Sequence, residues 1–336
     1  LRSTSRTWRM AIPATADDIK AAARLLAVDR AIRARHMRRP WESYIPSSPG
    51  QVITDAAGVT RTLGEFANQL GFHKATQPIR GLFPGNGWGK TSAMGAECNA
   101  WAHHLCQWQP TPGWPLLMLW FAKLADQFSL ICEQLRTTIF GTEVAWKPSD
   151  GTFTWPDGSK LVVGLADQRT DWRRWQGVPV DLVLFDEEPP VELWREMLMR
   201  RRGQRQTRFV IGATATTGDS WMAKEFYAPW VEHHKALGID EMRALWAQSH
   251  PDIWLWWRGG VEDNPGARAT DEAWYAGRTW SSPKEREVRR RGGFQSWTGD
   301  PVFDPEAMDR LKAMAAEADA ERGPGRLGSL VCVTAA

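Results

Sequence analysis

Apolar positions are distributed differently in the first quarter of the chain and in the rest of it. In the first part they are sparse and spaced for helices. Ile19, Ala22 and Leu26 recur at the three-to-four spacing of one helix face, and Thr15 with Asp18 three positions on reads as the capped start. The pattern predicts a helix running to Arg39, stopped by Pro40. Its closing arginines suit the negative end of a helix dipole as readily as a binding surface. Residues 46–50, with two prolines, two serines and a glycine, form a loop.

From about residue 78 the apolar residues bunch into short runs. Residues 79–83, 116–121, 182–185 and 208–211 are buried-strand candidates, and 91–106 and 123–140 read as the helices between them. Two shorter runs flank Pro156, Asp157 and Gly158, a hairpin signal. Strands alternating with helices predict an α/β fold with a mostly parallel sheet covered on both faces. Residues 222–300 return to a helical, tryptophan-rich texture without a strand of comparable quality, which predicts a small helical lid or linker subdomain. The expected division is therefore an N-terminal helical segment over 1–74, a core over 75–221, the lid over 222–303 and a last segment over 304–336.

Composition narrows the class. A chain of 336 residues is long enough for about two domains of roughly 150 residues. With 43% hydrophobic and 24% charged residues, disordered and fibrous classes are excluded. The longest apolar run, 115–122, falls well short of the roughly 18 residues of a membrane span. The Arg/Ser/Thr-rich start lacks a secretory apolar stretch, and a chain opening on Leu1 is compatible with a fragment. Cys98, Cys106, Cys132 and Cys332 show no paired spacing, so neither a zinc site nor a disulfide scaffold is indicated, which fits a reducing cytoplasm. The adjacent pairs His103–His104 and His233–His234 also lack ligand spacing. A net charge of +3 leaves nucleic-acid contact to local patches. The 21 tryptophans, spread along the whole chain, are expected in core and lid packing.

The strongest chemical signal lies between the strand at 79–83 and the helix after it. Pro84, Gly85, Asn86, Gly87, Trp88, Gly89, Lys90, Thr91 and Ser92 form a glycine-rich turn closing on Gly-Lys-Thr. In a P-loop the glycines let backbone N–H groups turn around phosphates, the lysine reaches the β- and γ-phosphates, and the hydroxyl ligates Mg²⁺. The helix N-terminus adds its partial positive charge. The strict pattern has glycine where this chain has Pro84. A chance Gly-Lys-Thr in a turn is the competing reading, and the strand–loop–helix context weighs against it.

A second signal is the apolar run 182–185 ending in Asp186, Glu187 and Glu188. It places Asp186 at the C-terminal edge of a buried strand, where open α/β sheets bind ligands. Asp186 is the candidate to hold Mg²⁺, directly or through water. Glu187 is the candidate to orient and deprotonate an attacking water, which favours hydrolysis over transfer to a hydroxyl. Third, Thr214, Ala215 and Thr216 follow the next strand, where small hydroxyl residues can sense a γ-phosphate and relay its loss.

Taken in order, Lys90–Thr91, Gly177, Asp186–Pro189, Ala213–Thr216 with Gly218 and Trp221, then Asp263–Asn264–Pro265 and Arg291–Phe294 with Gly299, Val302 and Phe303, resemble the large terminase subunit of tailed bacteriophages over roughly residues 75–305. The resemblance implies a P-loop NTPase of the additional-strand, conserved-glutamate (ASCE) type. In that family this motor sits on the capsid portal and drives double-stranded DNA into an empty prohead. It implies ATP and Mg²⁺ as cofactors, with duplex DNA, the portal protein and the small terminase subunit as partners. It further implies a homo-oligomeric ring in the host cytoplasm at the portal vertex, with no membrane. Lys90 and Thr91 then match the nucleotide loop, Asp186 the magnesium carboxylate, Glu187 the catalytic glutamate and Thr214–Thr216 the coupling motif. Some members carry a catalytic arginine just before the glycine matching Gly177. This chain has Gln176 there, with Arg173 and Arg174 slightly upstream as candidates to act on a neighbouring subunit. Gln77 is a candidate for adenine recognition.

The family's second half is a two-metal nuclease. Here Asp304, Glu306, Asp309, Glu317, Asp319 and Glu321 lie on a helical or polar segment and not at successive strand ends, so no nuclease activity is expected of this chain. The segment 304–336 reads as a linker or as the truncated start of that domain, with 328–334 as its first strand cut short. Arg200, Arg201, Arg202 and Arg205, flanked by Arg195 and Arg208, and a second cluster of Arg286, Arg289, Arg290 and Arg291, are candidates for sequence-independent phosphate contact; a solvated helix face is the alternative for each. Competing readings are a superfamily 2 helicase, for which a second motor domain is lacking, a non-hydrolysing nucleotide- or DNA-binding assembly protein, against which Glu187 argues, and a small-molecule kinase, which lacks an arginine-rich lid.

Overall fold

Each of the four apolar runs becomes a parallel strand in the computed structural model, which describes residues 16–54, 58–106, 108–109, 111–113, 115–166, 175, 177–201, 206–214, 221–222, 239–267 and 283–292. The first helix, α1 (Ala16–Arg38), stops before Pro40 as expected; its proposed cap, Thr15, lies outside the described residues. A small antiparallel ribbon, β1 (Val52–Thr54) with β2 (Thr60–Thr62), and a short helix α2 (Gln69–Lys74) lead into β3 (Ile79–Leu82) and α3 (Lys90–Ala102). Then come β4 (Leu117–Ala122), α4 (Ala125–Gln134), β5 (Ala145–Lys147), β6 (Thr152–Thr154), β7 (Lys160–Leu165) and β8 (Leu182–Asp186). The remainder comprises α5 (Val191–Leu198), β9 (Arg208–Gly212), α6 (Ile239–Ser249), β10 (Ile253–Trp256) and α7 (Pro283–Arg291).

The helix expected over 123–140 changes character midway. After α4 the turn widens into a π-helix over Leu135–Phe140. Thr137 and Thr138 each donate a hydroxyl proton to the carbonyl four residues back, at 2.7 Å. Back-bonding of this kind competes with the helical ladder and bends it.

The eight-stranded sheet runs β10-β3-β9-β8-β4-β7-β6-β5. The first six strands are parallel, and the β5–β6 hairpin continues the sheet antiparallel. Thus β9 is interposed between the strand that enters the glycine-rich loop and the strand that ends in Asp186. This is the additional strand of a P-loop NTPase fold.

Alternate residues of the buried strands feed two cores. On one face Met118, Trp120, Leu182, Leu184, Val210 and Trp256 pack with Met94, Trp101 and Phe140. On the other, Leu119, Phe121, Val183, Phe185, Phe209, Ile211 and Leu255 meet the apolar face of α5 through Leu193, Trp194 and Met197. Each such Leu or Phe side chain contributes about 1.5–3 kcal/mol by leaving water. Trp88, Trp101, Trp120, Trp155, Trp194, Trp246, Trp256 and Trp257 are all buried, so many of the tryptophans serve the core as expected.

One strand position breaks the apolar rule. Arg80 of β3 is fully buried and donates to Glu97 Oε1 at 2.7 Å. His73 Nδ1 lies 2.6 Å from Glu97 Oε2, the Trp101 indole donates to Glu97 at 3.1 Å, and Tyr44 Oη lies 3.0 Å from His73 Nε2. The guanidinium also stacks 4.7 Å above the Phe72 ring. Burial works to raise the Glu97 pKa, but the charges and hydrogen bonds of Arg80 and His73 prevail and hold it at about 2.

Two expected boundaries are corrected. The described part of residues 222–303 is not a helical lid standing apart, because Ile253–Trp256 joins the central sheet as β10, parallel to β3. Four consecutive apolar residues carry no alternation when both faces of a strand are covered, so periodicity missed it. Residues 1–74 are likewise not separate throughout, since Phe72 belongs to the main core. The segment 304–336, with its carboxylates, lies outside the described residues.

Candidate functional site

The loop between β3 and α3 is shaped by backbone that only glycine adopts readily. Gly87 and Gly89 have φ of +80° and +94°, and Gly89 caps α3. A β-carbon at Gly89 would lie 2.7 Å from Gln69 Nε2. Trp88 between them is fully buried and its indole donates to Phe66 O at 3.0 Å. Its side chain therefore anchors the loop in the core and is not presented to a ligand. The leading residues are also engaged: Gly85 N–H donates to Gly259 O at 2.8 Å and Asn86 N–H to Arg289 O at 2.6 Å. The Gly85 and Asn86 amides are thus bonded within the protein. The first-turn amides of α3 at Lys90 and Thr91 have no intrahelical acceptor and face the helix N-terminus.

The charged groups converge on that terminus. Lys90 Nζ donates to Pro84 O at 2.9 Å, Gly85 O at 3.2 Å and Thr214 Oγ1 at 2.9 Å. Proline at the anomalous loop position thus still supplies the carbonyl that receives the lysine. Thr91 Oγ1 donates to Asp186 Oδ2 at 3.2 Å, across the gap from α3 to the end of β8. Glu187 follows in left-handed backbone, φ +78°, with its N–H on Gly212 O at 2.8 Å. Outside glycine this conformation is uncommon and marks a constrained position. Its Oε2 accepts from Thr214 N–H at 3.1 Å, while Thr214 Oγ1 donates to Asn86 Oδ1 at 2.8 Å. Thr214 therefore touches the loop, the lysine and the glutamate at once.

Burial dominates the electrostatics here. It pulls the Lys90 ammonium pKa down against the attraction of Glu187 and Asp186. It pushes the Asp186 carboxyl up to about 7, reinforced by Glu187 and opposed by Lys90 and the Thr91 hydroxyl. These groups line a cavity of about 360 Å³ together with Ser92, Gln134 and Asn264. A second cavity, about 490 Å³, shares Ser92 and Asn264 with the first and is lined by Tyr44, Ile45, Val52, Ile53, Gln69, Ile139 and Pro265. Gln77 is not among them. It precedes β3, at the end of the sheet away from the loop, and lines a separate cavity with Trp246, Trp254 and Trp257.

Of the remaining candidates, Arg173, Arg174, Gln176, Arg202, Arg205, Ala215 and Thr216 lie outside the described residues. Arg200 is 12% exposed and donates to Glu196 at 2.6 Å, so it is largely buried against α5, unlike the exposed cation expected of a DNA contact. Arg201 lies 3.6 Å from Asp252. Arg208 bonds to Thr76 O, and burial lowers its pKa. Gln69, Gln134 and Asn264 were not read from the sequence. Their only sequence signal is Asn264's place in Asp263–Asn264–Pro265, a motif seen for its family resemblance and not for the loop it touches.

The hydroxyl of Thr91 beside the Asp186 carboxylate is a hard-oxygen pair of the kind Mg²⁺ prefers. Among the described residues no three His, Cys, Asp or Glu side chains gather as a metal cluster. Mg²⁺ in phosphate sites needs only one or two carboxylates, the rest of its shell coming from phosphate and water.

Several solved structures resemble the chain. The large terminase ATPase domain of Thermus phage P74-26 is 19% identical, with 66% of this chain and 90% of that one covered and a TM-score of 0.46. A large terminase from a thermophilic bacteriophage is 13% identical over 73% of this chain and 57% of that one, TM-score 0.47. The HK97 bacteriophage large terminase is 14% identical over 77% and 56%, TM-score 0.46. No protein-family model and no curated protein matches the chain. Likeness this distant assigns neither family nor activity, and the fold stands on the strand order and loop geometry above.

Proposed function

We propose that the chain is an ATP-hydrolysing motor of the phage DNA-packaging type. The observation that carries hydrolysis is the convergence of Lys90 and Glu187 on Thr214, at the C-terminal ends of adjacent strands and beside a helix N-terminus. The packaging assignment is supported by the order of motifs along the sequence.

In this reading the Lys90 ammonium leaves the loop carbonyls for the β- and γ-phosphates, where the partial charge of α3 assists it. Thr91 and Asp186 would hold Mg²⁺, which when bound neutralises charge developing on the phosphates. Glu187, held at its carboxylate by Thr214 N–H, orients the attacking water and takes its proton. Thr214 then registers phosphate loss, because the same residue bonds both Lys90 and Glu187. The nucleoside occupies the adjoining cavity by Tyr44 and Gln69, replacing Gln77 as the base-side candidate. Arg173 or Arg174 remains the proposed trans-acting residue. DNA contact is proposed for Arg202, Arg205 and the arginines of α7, with duplex DNA, portal and small subunit as partners in a ring at the portal vertex of the prohead.

The test is Mg²⁺-dependent ATP hydrolysis by the purified chain, with and without linear duplex DNA, beside Glu187→Gln. Hydrolysis stimulated by duplex and lost in the variant, with ATP binding retained, is the expected result. Hydrolysis that persists in Glu187→Gln would remove that carboxylate from its role.

A further inference from the structure

Two carboxamides grip the glycine-rich loop from outside. Gln69 Nε2 donates to Trp88 O at 2.8 Å, and Asn264 Nδ2 donates to Gly87 O at 2.7 Å. Gly89 sits between them, since a β-carbon there would meet both nitrogens, at 2.7 and 3.2 Å. Neither amide is free to flip. Gln69, 1% exposed, receives Ser47 N–H on its Oε1 at 3.1 Å, and Asn264 receives Gly266 N–H on its Oδ1 at 3.0 Å. With each oxygen committed to an N–H donor, each NH₂ must face the loop. Asn264 is fixed further by Arg61, which donates to its carbonyl at 2.8 Å.

A planar trans peptide turns this grip into direction. The C=O and N–H of one peptide unit point opposite ways. Holding Trp88 O outward aims Gly89 N–H away from Gln69, and holding Gly87 O outward aims Trp88 N–H away from Asn264. We propose that Gln69 and Asn264 are positioning residues that preset the Trp88 and Gly89 amides for phosphate oxygens. The proposal rests on the nucleotide reading above. It adds that the anion cradle is imposed by side chains from two remote segments, and not only by the loop's glycines.

The test is equilibrium binding of inorganic tripolyphosphate to the full chain, compared with Asn264→Leu, Gln69→Leu, Asn264→Asp and Lys90→Ala, with the thermal midpoint recorded for each. Asn264→Asp keeps an acceptor for Gly266 N–H, loses the donor and adds a negative charge to the cavity lining. Losing one hydrogen bond to the loop is worth about tenfold, so Asn264→Leu is expected to bind about tenfold more weakly at neutral pH and Asn264→Asp at least as weakly, each still folded with a cooperative thermal transition. Relative to wild type, the Asp variant should recover beyond the Leu variant as acid neutralises its charge and restores an O–H donor. Recovery only to the level of the Leu variant would show that charge alone acts there and would overturn the positioning role. If wild type binds tripolyphosphate and Lys90→Ala does not, yet both Leu variants match wild type, the positioning claim alone falls. If wild type binds no better than Lys90→Ala, the proposed function falls and this claim with it.

Discussion

Two clusters of buried charge flank the same helix, and they behave oppositely. Around Glu97, on the inner side of α3, an arginine, a histidine and an indole all converge on one carboxylate, and its pKa falls to about 2 despite burial. At the N-terminus of α3, burial wins against pairing for both signs: Lys90 is pulled down and Asp186 is pushed up to about 7. In the first cluster the neighbouring charges and donors prevail over burial and keep the carboxylate charged. The second is under-compensated, lines a cavity and sits where the backbone is constrained at Glu187. Perturbation toward the uncharged forms beside a cavity is the pattern of a site arranged for a charged ligand, whereas a carboxylate held charged by its own arginine and histidine is the pattern of a structural brace.

The sharpest way to break this contrast is to delete one member of the brace. Glu97→Leu leaves the Arg80 guanidinium buried without its carboxylate and should cost about 3–5 kcal/mol in urea unfolding. A loss below about 1 kcal/mol would show that Arg80 finds other partners.

A titration of stability comes next. Because the folded-state pKa of Glu97 lies below its ordinary value of 4.5, its contribution is fully present above about pH 4.5 and is lost as pH falls through about 2. That share is on the order of 3 kcal/mol, and Glu97→Gln should lack it. The stability gap between wild type and Glu97→Gln should therefore close with acid. A gap independent of pH would contradict the assigned pairing.

Smaller effects are expected at the other cluster. Lys90→Met removes a buried ammonium that burial already disfavours, and should change unfolding free energy by less than about 1 kcal/mol. Thr214→Val removes the hydroxyl bonds to Lys90 and Asn86 but keeps the amide on Glu187. It should slow turnover about tenfold with nucleotide affinity nearly unchanged, one hydrogen bond's worth of transition-state positioning. A matching loss of affinity would assign Thr214 to binding instead.

The contrast also marks what the sequence made legible. Strand β8 ending in Asp186, the Gly-Lys-Thr turn and the apolar run of β9 were readable because each is a local pattern, whereas the place of β9 between β3 and β8 is a non-local pairing that only the family resemblance implied. Arg80 and Glu97 were not, since a charge inside an apolar run declares neither its burial nor a partner on the next helix. Nor were Gln69 and Asn264, which reach the loop from 19 and 177 positions away in the chain. The strand β10 escaped because its tryptophans matched the helical texture around it. Gln77 was placed by proximity in sequence to the loop, yet a strand intervenes and carries it to the far end of the sheet.

The most direct test of the central claim is equilibrium binding of ATP with Mg²⁺ to wild type and to Lys90→Ala, at matched thermal stability. The account predicts saturable binding by wild type, its loss in Lys90→Ala, and its retention in Glu187→Gln. Equal binding by wild type and Lys90→Ala, or none by either, would show that the under-compensated cluster is not a nucleotide site.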